Sequence, residues 1–87
     1  MTSEITVERV QAILLRVAGA GQVPRDVGPD TAIVDGGFGF DSVHLLEAIM
    51  ACEAEFGVVF DARTDFTDDH LKTVATLHAL IRHKRRG

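Results

Sequence analysis

Apolar residues recur at helical spacing in three stretches of the chain, separated by polar and glycine-rich segments. Val7, Val10, Ile13, Leu14 and Val17 make one stripe, widened by Leu15 and Ala18, and the spacing predicts an amphipathic helix. Thr6 stands at its N-cap and Glu8 in its first turn, where the helix dipole favours an acid. Gly19 and Gly21 end it. A second run, Ser42 to Phe56, has no breaker inside it and stops at Gly57, a good C-terminal glycine. Its apolar content is too broad for one stripe. Leu45, Ala48, Ile49, Cys52 and Phe56 make a face that can be buried. Val43, Leu46 and Met50, at i, i+3 and i+7, lie on another face beside Glu47 and Glu53. Such an acid-edged apolar strip is either a docking surface or further packing, because helix faces blur in small bundles. The third run, capped by Thr73, carries Val74, Leu77, Leu80 and Ile81 and closes on Arg82-His83-Lys84-Arg85-Arg86. Those bases suit a helix C-terminus by its dipole, with fraying expected beyond them, and residues 82–87 make a basic C-terminal tail.

Between the first two runs, residues 20–40 are punctuated by Gly21, Pro24, Gly28, Pro29, Gly36, Gly37 and Gly39, and no period survives. A connection of this length is unusual and suggests either a functional loop or an element that the periodicity does not reveal. Val23, Val27, Ile33 and Val34, with Phe38 or Phe40, are expected to pin it to the core, and Asp30-Thr31 to cap a short turn over residues 31–34. After Gly57, Val58-Val59-Phe60 is too short for a sheet and is expected to cover one end of the bundle. Thr67-Asp68-Asp69 reads as the start of a short helical turn anchored by Leu71.

With 87 residues the chain has room for one core, and residues 1–87 are expected to be a single domain with its core at about 5–82. Net charge is −4, but four of the nine bases sit in the last six residues. From Asp26 to Asp69 there are eleven acids and one base, Arg63, a field that repels nucleic acid and steers basic protein surfaces inward. Residues 1–20 lack the pattern of a signal peptide or membrane span, and a single cysteine excludes an internal disulfide. A cytoplasmic monomer is expected, with no membrane and no nucleic-acid partner.

Candidate chemistry narrows quickly. His44, His70, His78 and His83 have no i, i+3 or i, i+4 pair among them, and no Cys-x-x-Cys accompanies them, so no metal site is expected. Cys52, mid-helix among apolar residues, reads as a small buried hydrophobe. Asp41-Ser42-Val43 is not a nucleophile elbow, and free-standing catalysis is not expected. Ser42 itself has two readings. It is either an ordinary N-cap serine or a hydroxyl presented at a helix N-terminus, where N–H groups and the dipole favour a bound anion.

The stretch Gly39-Phe40-Asp41-Ser42-Val43, continued by Glu47, Met50, Glu53, Glu55 and Phe56-Gly57-Val58, resembles an acyl carrier protein. Thr6–Val10 and Leu71–Leu77 resemble that family's first and last helices, in its order and at its spacing. The resemblance implies an all-α, four-helix acyl-carrier-like bundle with a long loop between helices 1 and 2 and a short third helix. It also implies covalent 4′-phosphopantetheine at Ser42, attached by a phosphopantetheinyl transferase that Asp41 helps to recruit. Val43, Leu46, Glu47, Met50 and Glu53, with His44 on the same stretch, would then meet partner enzymes. Those partners would be a loading ligase or acyltransferase for the acyl or aminoacyl group, and a ketosynthase or other pathway enzyme.

Three features depart from the family pattern. His44 replaces an acid usual just after the serine, which makes pH sensitivity conceivable, and Gly37 replaces another acid, which should loosen the loop. Asp61 to Lys72 is longer than in fatty-acid carriers and looks more like discrete carriers of secondary metabolism, aminoacyl and D-alanyl carriers included. A dedicated pathway carrier is therefore expected. The alternative is a small helical interaction module that never receives the arm.

Overall fold

The computed structural model describes residues 4–19, 26–34, 36–61, 63–66 and 69–86. They form three helices: α1 (Val7–Ala18), α2 (Ser42–Phe56) and α3 (Val74–Arg86). α1 packs against both of the others. Each helix starts at a polar cap. Thr6 Oγ1 accepts the Arg9 N–H at 3.2 Å, and Thr73 and Thr76 cap reciprocally, each hydroxyl accepting the other's backbone N–H at 3.2 and 2.9 Å. α1 and α2 stop at Gly19 and Gly57, both at positive φ, whose N–H groups satisfy the Leu15 and Glu53 carbonyls.

The apolar stripes meet where their spacing directs. Val10, Ile13 and Leu14 of α1 pack in one cluster with Ala48, Ile49, Cys52 and Phe56 of α2 and Val74, Leu77, Leu80 and Ile81 of α3. Val58, Phe60 and Leu71 are buried in the same cluster. The all-helical class expected from sequence is what forms, but the described residues contain three helices rather than four. Where the short third helix was expected, residues 63–65 and 69–70 make turns; Thr67 and Asp68 lie outside the described residues. Asp65 helps to explain this: its N–H bonds the Asp61 carbonyl at 2.8 Å while its carboxylate accepts the Asp61 N–H at 2.6 Å, folding the chain back.

The segment before α2 is more ordered than its composition suggests. Ala32 pairs with Thr73 in an isolated antiparallel bridge, supported by Ile33 N–H to the Lys72 carbonyl at 3.0 Å and Val74 N–H to the Thr31 carbonyl at 3.1 Å. Ile33, Phe38 and Phe40 are buried and Val27 and Val34 partly so, as expected; Val23, Gly21 and Pro24 lie outside the described residues. Burying a phenylalanine is worth roughly 1.5–3 kcal/mol, so these two rings anchor the end of the loop. The turn expected at residues 31–34 falls earlier, over Pro29–Asp30, closed by Thr31 N–H to the Gly28 carbonyl at 3.1 Å. Residues 31–34 are instead held by the bridge.

α3 runs to Arg86, so the closing bases lie in the last turns of the helix, and Lys84 reaches back to Asp65 at 2.6 Å and lies over the Phe60 ring. Gly37 has a steric role that the sequence alone does not reveal: a Cβ there would clash with the Ala32 carbonyl, so glycine permits a close backbone crossing. Among the described residues no helix is long and apolar enough to cross a membrane.

Candidate functional site

The loop 36–41 delivers the chain to α2 in two steps. Phe38 N–H bonds the Ala32 carbonyl and Phe40 N–H the Ile33 carbonyl, both at 2.9 Å, so the two rings enter the core 5.4 Å apart. Gly39 between them sits at φ 62°, the conformation that lets both neighbours point inward. Asp41 then emerges in extended conformation, and its carboxylate caps α2 by accepting the His44 N–H at 2.8 Å.

The N-cap of α2 is therefore Asp41, and Ser42 is the first helical residue. Its side chain is exposed, and among the described residues its hydroxyl makes no hydrogen bond. The reading of Ser42 as a mere cap fails on this geometry. What remains is a solvent-facing hydroxyl at a helix N-terminus, with backbone donors beneath it and a carboxylate beside it.

His44 closes the junction. Its Nδ1 lies 2.8 Å from the same Asp41 Oδ1 that caps the helix, and its ring stacks on Phe40 with centroids 5.7 Å apart and planes 27° apart. The His44 backbone N–H, then its ring, hold the Asp41 carboxyl below the usual carboxylate range. Beside it a cleft of about 310 Å³ opens between the end of α1 at Ala18, the loop at Phe38–Phe40, Asp41 and His44. The composition gave no sign of this cluster, although the three-residue step from Asp41 to His44 is the N-cap to N3 spacing that could have suggested it.

The rest of α2 separates the two faces. Ala48, Ile49, Cys52 and Phe56 are buried, whereas Val43, Leu46 and Met50 are 63%, 52% and 59% exposed. Glu47 is exposed on the same side. Glu53 is half-buried and accepts the Phe60 N–H at 3.0 Å, so one carboxylate oxygen is engaged in holding the segment after Gly57. Glu55 pairs with Arg9 at 2.7 Å, and that guanidinium covers the Phe56 ring. Burial pushes the Cys52 thiol up to about 12, with Glu55 adding to it, which leaves the group protonated and unreactive. His78 Nε2 lies 3.0 Å from the Ile5 carbonyl, tying α3 to the segment before α1. Among the described residues no three of His, Cys, Asp and Glu gather in a way that could hold a metal ion.

A family model described as phosphopantetheine attachment site matches residues 8–83, nearly the whole chain, including the loop 36–41 and all of α2. No curated protein and no solved structure matches at significance.

Proposed function

Because the chain belongs to the phosphopantetheine attachment site family, whose domains receive 4′-phosphopantetheine covalently, we propose that Ser42 is the residue modified and that the protein is a non-catalytic carrier of acyl or aminoacyl intermediates. The observation that supports Ser42 above all is the division of labour at the start of α2: Asp41 does the capping, and the serine hydroxyl is left exposed and unengaged. In the modification Ser42 Oγ forms a bond to the β-phosphorus of coenzyme A. The P–O–P bond breaks, adenosine bisphosphate leaves, and the hydroxyl proton passes to a base of the transferase. A phosphodiester on Ser42 Oγ would carry its charge at the N-terminus of α2, where N–H groups and the helix dipole favour an anion. Once bound, the arm supplies a terminal thiol that holds its cargo as a thioester.

Carrier domains work by meeting a transferase and a series of biosynthetic enzymes. On this chain the face for those meetings is Val43, Leu46 and Met50 with Glu47 beside them, exposed along the helix that starts at the serine. Rim acids speed encounter with basic surfaces while permitting release, and tethering raises the cargo's effective concentration at each docked enzyme. His44 and Glu53 border this face, each with one bond directed back into the protein. The length of the Asp61–Lys72 segment supports a discrete carrier of a secondary-metabolic or aminoacyl pathway, with residues 5–82 as its core.

Intact mass after incubation with coenzyme A, magnesium and a broad-specificity phosphopantetheinyl transferase tests the proposal. The wild type should gain one phosphopantetheine and Ser42→Ala none. A wild type that gains nothing, with the transferase active on another carrier, would leave an unmodified interaction module.

A further inference from the structure

A line of contacts runs from the core to the carboxylate beside Ser42. Phe38 is fully buried, Phe40 packs on it at 5.4 Å, His44 stacks on Phe40, and the His44 ring meets Asp41 at 2.8 Å. Both bonds to Asp41, from the His44 backbone N–H and from Nδ1, fall on Oδ1. Oδ2 takes neither of them, the Val43 backbone N–H adds a weaker interaction with the carboxylate, and the Asp41 side chain is 65% exposed. An ionised carboxylate only accepts, so Nδ1 must carry the proton in this contact. Capping alone would need only the backbone bond. The ring adds a second restraint on the same oxygen, and Phe40 restrains the ring.

Resting on the Ser42 reading, we infer that His44 is a positioning residue for the modification itself. Its Nδ1–H holds the Asp41 carboxylate in one rotamer, so that Oδ2 is presented beside Ser42 to a basic side chain of the transferase. A basic partner is what the chain's acidic middle would attract: eleven acids stand against one base between Asp26 and Asp69. The restraint removes the cost of ordering an exposed side chain on docking, an effect on binding of about threefold to tenfold. It acts on the encounter and leaves the transfer step unchanged.

The test is steady-state transfer from coenzyme A to the full-length protein, with the carrier as varied substrate, for wild type, His44→Ala and His44→Asn. Asparagine can place an N–H donor close to the position of Nδ1. His44→Ala should raise KM about threefold to tenfold with kcat within about twofold, and His44→Asn should return KM most of the way. An ¹⁵N–¹H spectrum of the unmodified wild type should show the neutral ring as the Nδ1–H tautomer, independently of any transferase. An unchanged KM in His44→Ala, an asparagine variant as impaired as the alanine one, or an Nε2–H tautomer would each overturn the inference while leaving Ser42 in place. A wild type that takes up no phosphopantetheine would overturn both.

Discussion

Gly37, at φ 51°, faces the Ala32 carbonyl so closely that a Cβ would fall inside it, and the Phe38 N–H bonds that same carbonyl. Gly37→Ala therefore combines backbone strain with a steric clash against main chain, which has little freedom to yield. It should cost about 1–3 kcal/mol in urea unfolding, whereas Gly39→Ala, at φ 62° but in open space, should cost less. Equal losses would mean that strain alone matters and the close crossing does not. The composition of residues 36–41 showed that glycines were needed but not which one was sterically required, because a φ angle and a neighbour across the loop are absent from a sequence string. Ser42 shows the same limit at the site. Asp-Ser before a helix leaves two residues competing for the cap, and only the Asp41–His44 bond resolves the contest in favour of Asp41.

At the scale of elements, α2 carries both the core and the exposed face, and its two sets of side chains can be tested apart. Glu47→Lys and Met50→Ala each change an exposed position, so stability should stay within about 0.5 kcal/mol of wild type. If the face meets partner enzymes, transfer to the carrier should fall roughly threefold to tenfold in kcat/KM, the charge reversal acting mainly through association. Full transfer rates with both variants would remove this face from the docking surface. The stripe of α1, the split faces of α2 and the cap at Thr73 were legible because they depend on local period and cap chemistry. The Ala32–Thr73 bridge and the absence of a helix at residues 63–65 were not. The bridge depends on residues 72–74, far away in sequence, and the turn on which nearby polar groups Asp65 engages, a choice among several that a sequence string does not show.

For the molecule as a whole, the contact that ties the last helix to the segment after α2 is the Lys84–Asp65 pair, 2.6 Å long, with side chains 20% and 9% exposed. It lets a basic tail that would otherwise repel itself continue as helix and brings an ammonium over Phe60. Burial alone would raise the Asp65 pKa, but the Asp61 N–H and the Lys84 ammonium outweigh it and hold the carboxyl below its ordinary value of 3.8. A carboxyl depressed in the folded state stabilises the protein above its unfolded value and loses that contribution as pH falls through the folded one. Asp65→Asn keeps the shape and removes the charge. The difference in unfolding free energy between wild type and Asp65→Asn should therefore be about 1–3 kcal/mol near pH 5, where Asp65 is ionised in both folded and unfolded wild type. It should then shrink below pH 3.8 as the wild-type group takes up its proton. The variant comparison cancels the titration of the other acids common to both chains. A gap that persists undiminished at the lowest pH where both still fold would show that Asp65 acts through shape alone, and that its charge does not hold the tail in place.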